Sequence, residues 1–169
     1  LLYDTHRDQH YGLARMEKLH AAEKAKSAKD KLARQKQSKA QNIVFDAGKN
    51  HYQALCQNCH GKEGIGMKAG QMILGAPLKN SRRVIGNKQR LIALVMKGLT
   101  GKVDGKDYGI MAPLENNSDK YISEVLSFIR NSWRNKGKFI SEKDVKQVRS
   151  LLGDTKEMFT LETLDNLFP

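Results

Sequence analysis

Apolar residues are spread unevenly along this chain. From Arg15 to Gln41 nearly every position is Ala, Lys, Arg, Glu, Gln or Ser, and residues 1–41 hold no proline and a single glycine, Gly12. These are mostly good helix formers. Leu13, Met16 and Leu19 mark one short apolar stripe, and Leu32 stands almost alone. A helix that polar buries little of itself, so the pattern predicts a solvated helix or helical linker over 1–41.

The pattern changes at residue 42. A first apolar-periodic segment runs from about Ile43 to Leu55, with Val44, Phe45, Tyr52 and Leu55 apolar. A second covers Lys88 to Lys97, clusters Leu91, Ile92, Leu94 and Val95, and stops at Gly98. The third starts behind the N-cap pair Asn117-Ser118 and spaces Tyr121, Ile122, Val125, Leu126, Phe128 and Ile129 as one helix face. Glycines 61, 64, 66, 70 and 75 fill the first gap, and 101, 105 and 109 the second. Sustained period-two alternation is missing, so the expected fold is all-α, with three helices and no sheet. Loops this long in a small domain imply that something fills the space between them. Residues 141–169 then predict two more helices. One is capped by Ser141 and ended by Gly153; the other is capped by Thr160 and carries Leu161, Leu164, Leu167 and Phe168.

Charge refines this division into 1–41, 42–140 and 141–169. The 169 residues carry a formal net charge of +12, of which +5 lies in 1–41, +9 in 42–140 and −2 in the tail. Such an excess suits nucleic acid, an anionic membrane surface or an acidic protein equally well. No apolar run approaches the roughly 20 residues of a membrane-spanning helix. The two cysteines are too few for a disulfide scaffold. The start Leu1-Leu2-Tyr3-Asp4 reads as the interior of a longer polypeptide or a processed product.

Those two cysteines fall in Cys56-Gln57-Asn58-Cys59-His60, the C-x-x-C-H pattern of covalent haem attachment. One helical turn presents both sulfurs to the two vinyl edges of a porphyrin, and the adjacent imidazole reaches the iron. A thioredoxin-like pair would need a preceding strand in a βαβ context. Structural zinc would need two further ligands, and His6, His10, His20 and His51 lack finger-like spacing. An accidental match in a basic, nucleic-acid-binding protein is the remaining alternative.

A haem replaces the missing side-chain core and accounts for the long loops. Candidates for its sixth iron ligand are Met67, Met72, Met96, Met111 and Met158, with His51 too near the attachment helix. Met96 sits on an apolar helix as core, and Met67 and Met72 follow the motif too closely to cross the ring. Met111 lies in the loop Tyr108-Gly109-Ile110-Met111-Ala112-Pro113, where Pro113 restricts the backbone. A plain packing role for Met111 is the competing reading. His/Met ligation raises the reduction potential and saturates the iron, which favours electron transfer over catalysis.

Residues 42–140 resemble a monohaem class I cytochrome c domain. The resemblance rests on Gly48, Tyr52, the motif with Gly61, the loop Gly75-Ala76-Pro77-Leu78, the helix Leu91–Gly98, the Met111 loop and the last helix. It implies three main helices and long loops around one haem c, held through Cys56 and Cys59 and ligated by His60 and Met111. It also implies that Gly48 and Tyr52 cross Val125 and Phe128, and that the Pro77 carbonyl accepts a hydrogen bond from His60. The stretch Ile129 to Lys136 and the Ser141-capped helix look like cytochrome c domains fused to bacterial periplasmic dehydrogenases, though glycine is common there where Arg134 stands.

On that resemblance the chain is an extracytoplasmic electron carrier docking an acidic redox protein or a dehydrogenase domain or subunit. Nucleic acid is then excluded as a partner. Residues 1–41 become a linker from an upstream region, and 141–169 a C-terminal helical extension. Lys62, Lys68, Lys79, Arg82, Arg83, Lys88, Lys97, Lys102 and Lys106 are the expected docking cations. The alternative function is a haem peroxidase or ligand-sensing domain with a labile sixth ligand.

Overall fold

Polar, glycine-poor sequence runs straight into helix α1, Thr5–His51, in a computed structural model that describes residues 5–169. The start Leu1–Asp4 lies outside the described residues, as do the side chains of 5–11, 33, 34 and 37. The chain divides into two units, Leu1–Gln41 and Asn42–Pro169. In the first unit Leu13, Met16, Leu19 and Leu32 are all more than half exposed, as so polar a helix requires.

In the second unit the end of α1 passes into a π-helical turn, Tyr52–Cys56, and then into α2, Gln57–His60. A hairpin follows, β1 Met67–Ala69 against β2 Met72–Leu74. Next come α3 (Arg82–Ile85), α4 (Lys88–Lys97), α5 (Asp119–Asn131), α6 (Glu142–Leu152) and α7 (Leu161–Leu167). Side chains hold the helix starts. Asn87 accepts from the amides of Gln89 and Arg90, Ser118 accepts from Tyr121, and Ser141 and Thr160 form reciprocal capping boxes with Asp144 and Thr163.

The core lies between α4 and α5, where Ile92, Met96, Ile122, Val125 and Leu126 are almost wholly buried. Helix α6 closes it through Val145, Val148 and Leu152, and α7 adds Leu164 and Phe168. The two helices after residue 141 therefore share one core with α4 and α5.

The end of α1 crosses α5 at Gly48. A Cβ there would stand 2.0 Å from the Glu124 carbonyl oxygen and 2.8 Å from the Phe128 Cβ, so only glycine fits. Around this crossing Phe128 packs on Phe45, Tyr52 and Trp133, with ring centroids 5.0, 5.3 and 5.6 Å apart. Phe128 thus faces both expected partners, while Gly48 meets the backbone of Glu124.

One feature departs from expectation and a second had no sequence signal. The hairpin turns at Gly70-Gln71, with Gly70 at φ +63°, as a two-residue hairpin turn needs. Its strands are three residues each, too short to display alternation. The second feature is Arg130, which is buried on α5. It donates to the carbonyls of Val84, Ile85 and Gly86 at 2.6, 3.0 and 3.2 Å, and to that of Lys138 at 2.9 Å. One guanidinium therefore ends α3 and ties it to the segment after α5. Burial lowers its pKa, while the charge of Asp144 opposes the shift.

Candidate haem site

The π-helical turn spans one residue more per hydrogen bond than an α-helix (i→i+5) and leads directly into the cysteine motif. Tyr52 opens it from the core and donates its hydroxyl to the Gly61 carbonyl at 2.6 Å. That bond ties the entry of the motif to the residue immediately behind His60. Burial raises the Tyr52 pKa, and the neighbouring Cys56 and Glu63 add to the rise.

Cys56 is half-buried and Cys59 exposed, and both are free thiols. Burial pushes the unattached Cys56 thiol up to about 11, with a further push from Cys59.

His60 ends α2, and its Nδ1 lies 2.9 Å from the Ala76 carbonyl. A carbonyl oxygen only accepts, so Nδ1 carries the proton and Nε2 keeps its lone pair. Burial lowers the His60 pKa, opposed by the bond to Ala76, so the neutral, ligating form prevails. Pro77 was the expected acceptor, and the correction is one residue. The Ala76 carbonyl belongs to the Ala76–Pro77 peptide, and the proline ring biases the residue before it to extended backbone. Pro77 therefore acts on the conformation of Ala76 and does not itself accept the bond.

Gly75 makes this approach possible. Its φ is +69°, and a Cβ would stand 2.6 Å from the Cys59 carbonyl oxygen and 3.0 Å from His60 Nδ1. Its N–H donates to the Tyr108 carbonyl at 3.0 Å, which joins the chain behind His60 to the segment leading into Met111. Trp133 closes the other side of the loop. Its ring would lie 2.8 Å from a Cβ on Gly64, and its Nε1 donates to the Lys62 carbonyl at 3.1 Å.

Met111 is half-buried and exchanges two backbone hydrogen bonds with Leu99, at 2.9 and 3.0 Å. Met96 is in the core, Met67 and Met72 stand exposed on the hairpin, and Met158 is half-buried with its methyl against Gly98. The donor set suits haem c: two free thiols one helical turn apart, a neutral imidazole with Nε2 unprotonated, and a thioether on the segment tied to that imidazole's loop.

Residues 45–133, more than half of the chain, match the family described as Cytochrome c. The chain belongs to the cytochrome c family. Its fold is the all-α class I cytochrome c fold, and the sequence-predicted helices of the matched region are α1, α4 and α5. This cytochrome carries covalently attached haem c, with Cys56 and Cys59 at the attachment spacing, and functions in haem-based electron transfer. No curated protein matches the chain.

The cytochrome's cations are less uniform than their sequence suggested. Lys62, Lys68, Lys79, Arg82, Lys102 and Lys106 are exposed. Lys97 is buried and paired with Glu115, Arg83 pairs with Asp104, and Lys88 with Asp144. Lys97 therefore drops out of the docking set, because its ammonium group is committed inside the chain. Sequence reasoning also missed the Ala76 acceptor and the clamp of Trp133 on Gly64, neither of which has a local sequence signal.

Proposed function

We propose that this cytochrome relays single electrons from a dehydrogenase, present as a neighbouring domain or separate subunit, to a downstream acceptor, with His60 and Met111 as axial ligands. The observation that carries the axial pair is the Gly75 N–H to Tyr108 carbonyl bond at 3.0 Å, which links the His60 loop to the Met111 segment. Haem c supplies a one-electron Fe(III)/Fe(II) couple. His60 offers Nε2 because Ala76 holds Nδ1–H, and Met111 supplies a soft, neutral thioether that favours the reduced state. With His60 and Met111 both bound, the iron would offer no open position to small oxidants.

On this reading residues 1–41 form a linker or leader, 42–140 the electron-transfer domain and 141–169 its helical extension, in an extracytoplasmic compartment. Lys62, Lys68, Lys79, Arg82, Lys102 and Lys106 give an acidic partner a cationic approach, and association slows as salt rises. The experiment is Met111→Ala in the haem-loaded chain. The thioether-to-iron band of the oxidised protein is lost, the potential falls and azide gains access. A retained band and potential would move the ligand to another methionine. Cys56→Ala or Cys59→Ala weakens retention of colour through acid-acetone extraction, while the unaltered chain keeps all of it.

A further inference from the structure

Leu99 sits between two partners. On one side it pairs antiparallel with Met111; on the other it runs parallel to Phe159. Thr100 N–H donates to the Phe159 carbonyl at 2.8 Å, and Phe159 N–H to the Gly98 carbonyl at 3.2 Å. Gly98, at φ +79°, is the meeting point. A Cβ there would stand 2.5 Å from the Met111 carbonyl oxygen and 2.8 Å from the Met158 methyl. A three-segment ladder thus joins the chain after α6 to the segment that carries Met111.

A second contact from the same region grips the far flank of that segment. Arg149 on α6 donates to the carbonyls of Glu115 and Asn117 at 2.6 and 2.8 Å and pairs with Asp119 at 2.8 Å. The ladder is in turn held down by buried side chains. Phe159 and Leu99 belong to the core, Leu164 and Phe168 anchor α7 on α4, and Arg90 Nε bonds Asp165 at 2.7 Å. Leu99, the partner of Met111's backbone, is thus held along its other edge by Phe159, while Leu114 N–H ties the same segment to the Val95 carbonyl of α4 at 3.0 Å.

We propose that the C-terminal region is a brace for the sixth ligand, in which Phe159 and Arg149 are positioning residues that hold the Met111 segment at its two ends. This rests on Met111 as the sixth ligand. A methionine thioether is a weak ligand whose occupancy depends on how rarely its loop opens. Backbone pairing to a buried partner makes that opening conditional on the C-terminal region undocking as well. The brace thereby protects the potential and excludes foreign ligands.

The test uses the haem-loaded full chain with two readouts. One is the rate at which imidazole displaces the sixth ligand; the other is native-state hydrogen exchange at the amides of Met111, Thr100 and Phe159. Arg149→Met removes the carbonyl contacts, and Phe159→Pro removes the donor to Gly98. Each should raise the displacement rate and lower Met111 amide protection by about tenfold. Val148→Ala, a buried α6 change without a bond to the segment, should move both only as far as it lowers global stability. If Phe159→Pro does not fold, Thr100→Pro, which removes the donor to the Phe159 carbonyl, takes its place. Wild-type displacement rates and Met111 protection in the brace variants would overturn the proposal. Failure of the ligand reading is separable: Met111→Ala would then keep the thioether band, while the exchange measurement still decides the brace.

Discussion

Gly75 approaches Cys59 so closely that a Cβ on it would stand 2.6 Å from the Cys59 carbonyl oxygen. The haem-attachment helix and the loop that supports His60 are therefore in backbone contact, and the absence of a side chain sets their separation. Gly75→Ala combines that clash with strain at φ +69°. It should destabilise the protein by about 2 kcal/mol or more. Thermal unfolding checks this, and haem incorporation during expression should fall in parallel. A variant as stable as the parent would show that the loop yields without cost.

Arg130 is the single connection of its kind between α3 and the segment after α5 among the described residues. Arg130→Met leaves the carbonyls of Val84, Ile85, Gly86 and Lys138 without this donor in a buried site. A loss of about 3 kcal/mol or more is expected. Arg130→Lys should recover only part of it, because one ammonium group cannot span the fork. Denaturant midpoints should fall with little change of slope.

Asp144 gives the acid limb of stability a definite sign. Partial burial raises its pKa, but the hydrogen bonds from Ser141 and Lys88 outweigh this and hold the carboxyl below the usual carboxylate range. Its contribution is present above the unfolded-state pKa and is lost as pH falls through the lower folded-state value. Asp144→Asn should therefore cost roughly 1 kcal/mol at neutral pH. The difference from the parent should shrink to nothing in strong acid. A constant difference across that window would exclude the carboxylate charge as its source.

Arg134 has φ +71°, directly after Trp133 at φ +51°. Left-handed backbone is strained for any side chain with a Cβ, by roughly 1–2 kcal/mol. Arg134→Gly relieves that strain but adds freedom to the unfolded chain, leaving a gain of about 0.5–1 kcal/mol. The melting temperature should rise by a few degrees. A fall would mean that the exposed arginine makes a compensating interaction.

Much of this architecture could be read from local signals. Ser118, Ser141 and Thr160 begin helices because a hydroxyl followed by suitable partners satisfies free amides within one turn. Apolar spacing located α4 and α5 because each buries a single face. The hairpin at residues 67–74 escaped notice because three-residue strands carry too little periodicity, and α3 because a four-residue helix stands on Arg130 more than on its own spacing.

The site divides in the same way. Cys56, Cys59 and His60 are legible in sequence because attachment requires them within five adjacent positions, a purely local constraint. That Ala76 rather than Pro77 accepts from His60 is a matter of one residue of loop register, which no local rule specifies. The burial of Lys97 and the pairing of Phe159 with the Leu99–Met111 strand join residues far apart in the chain. Local chemistry determined the cofactor and most helix ends. Long-range packing decided the acceptor for the histidine, the cations left for a partner and the hold on Met111, because these depend on which distant backbone groups the core brings together.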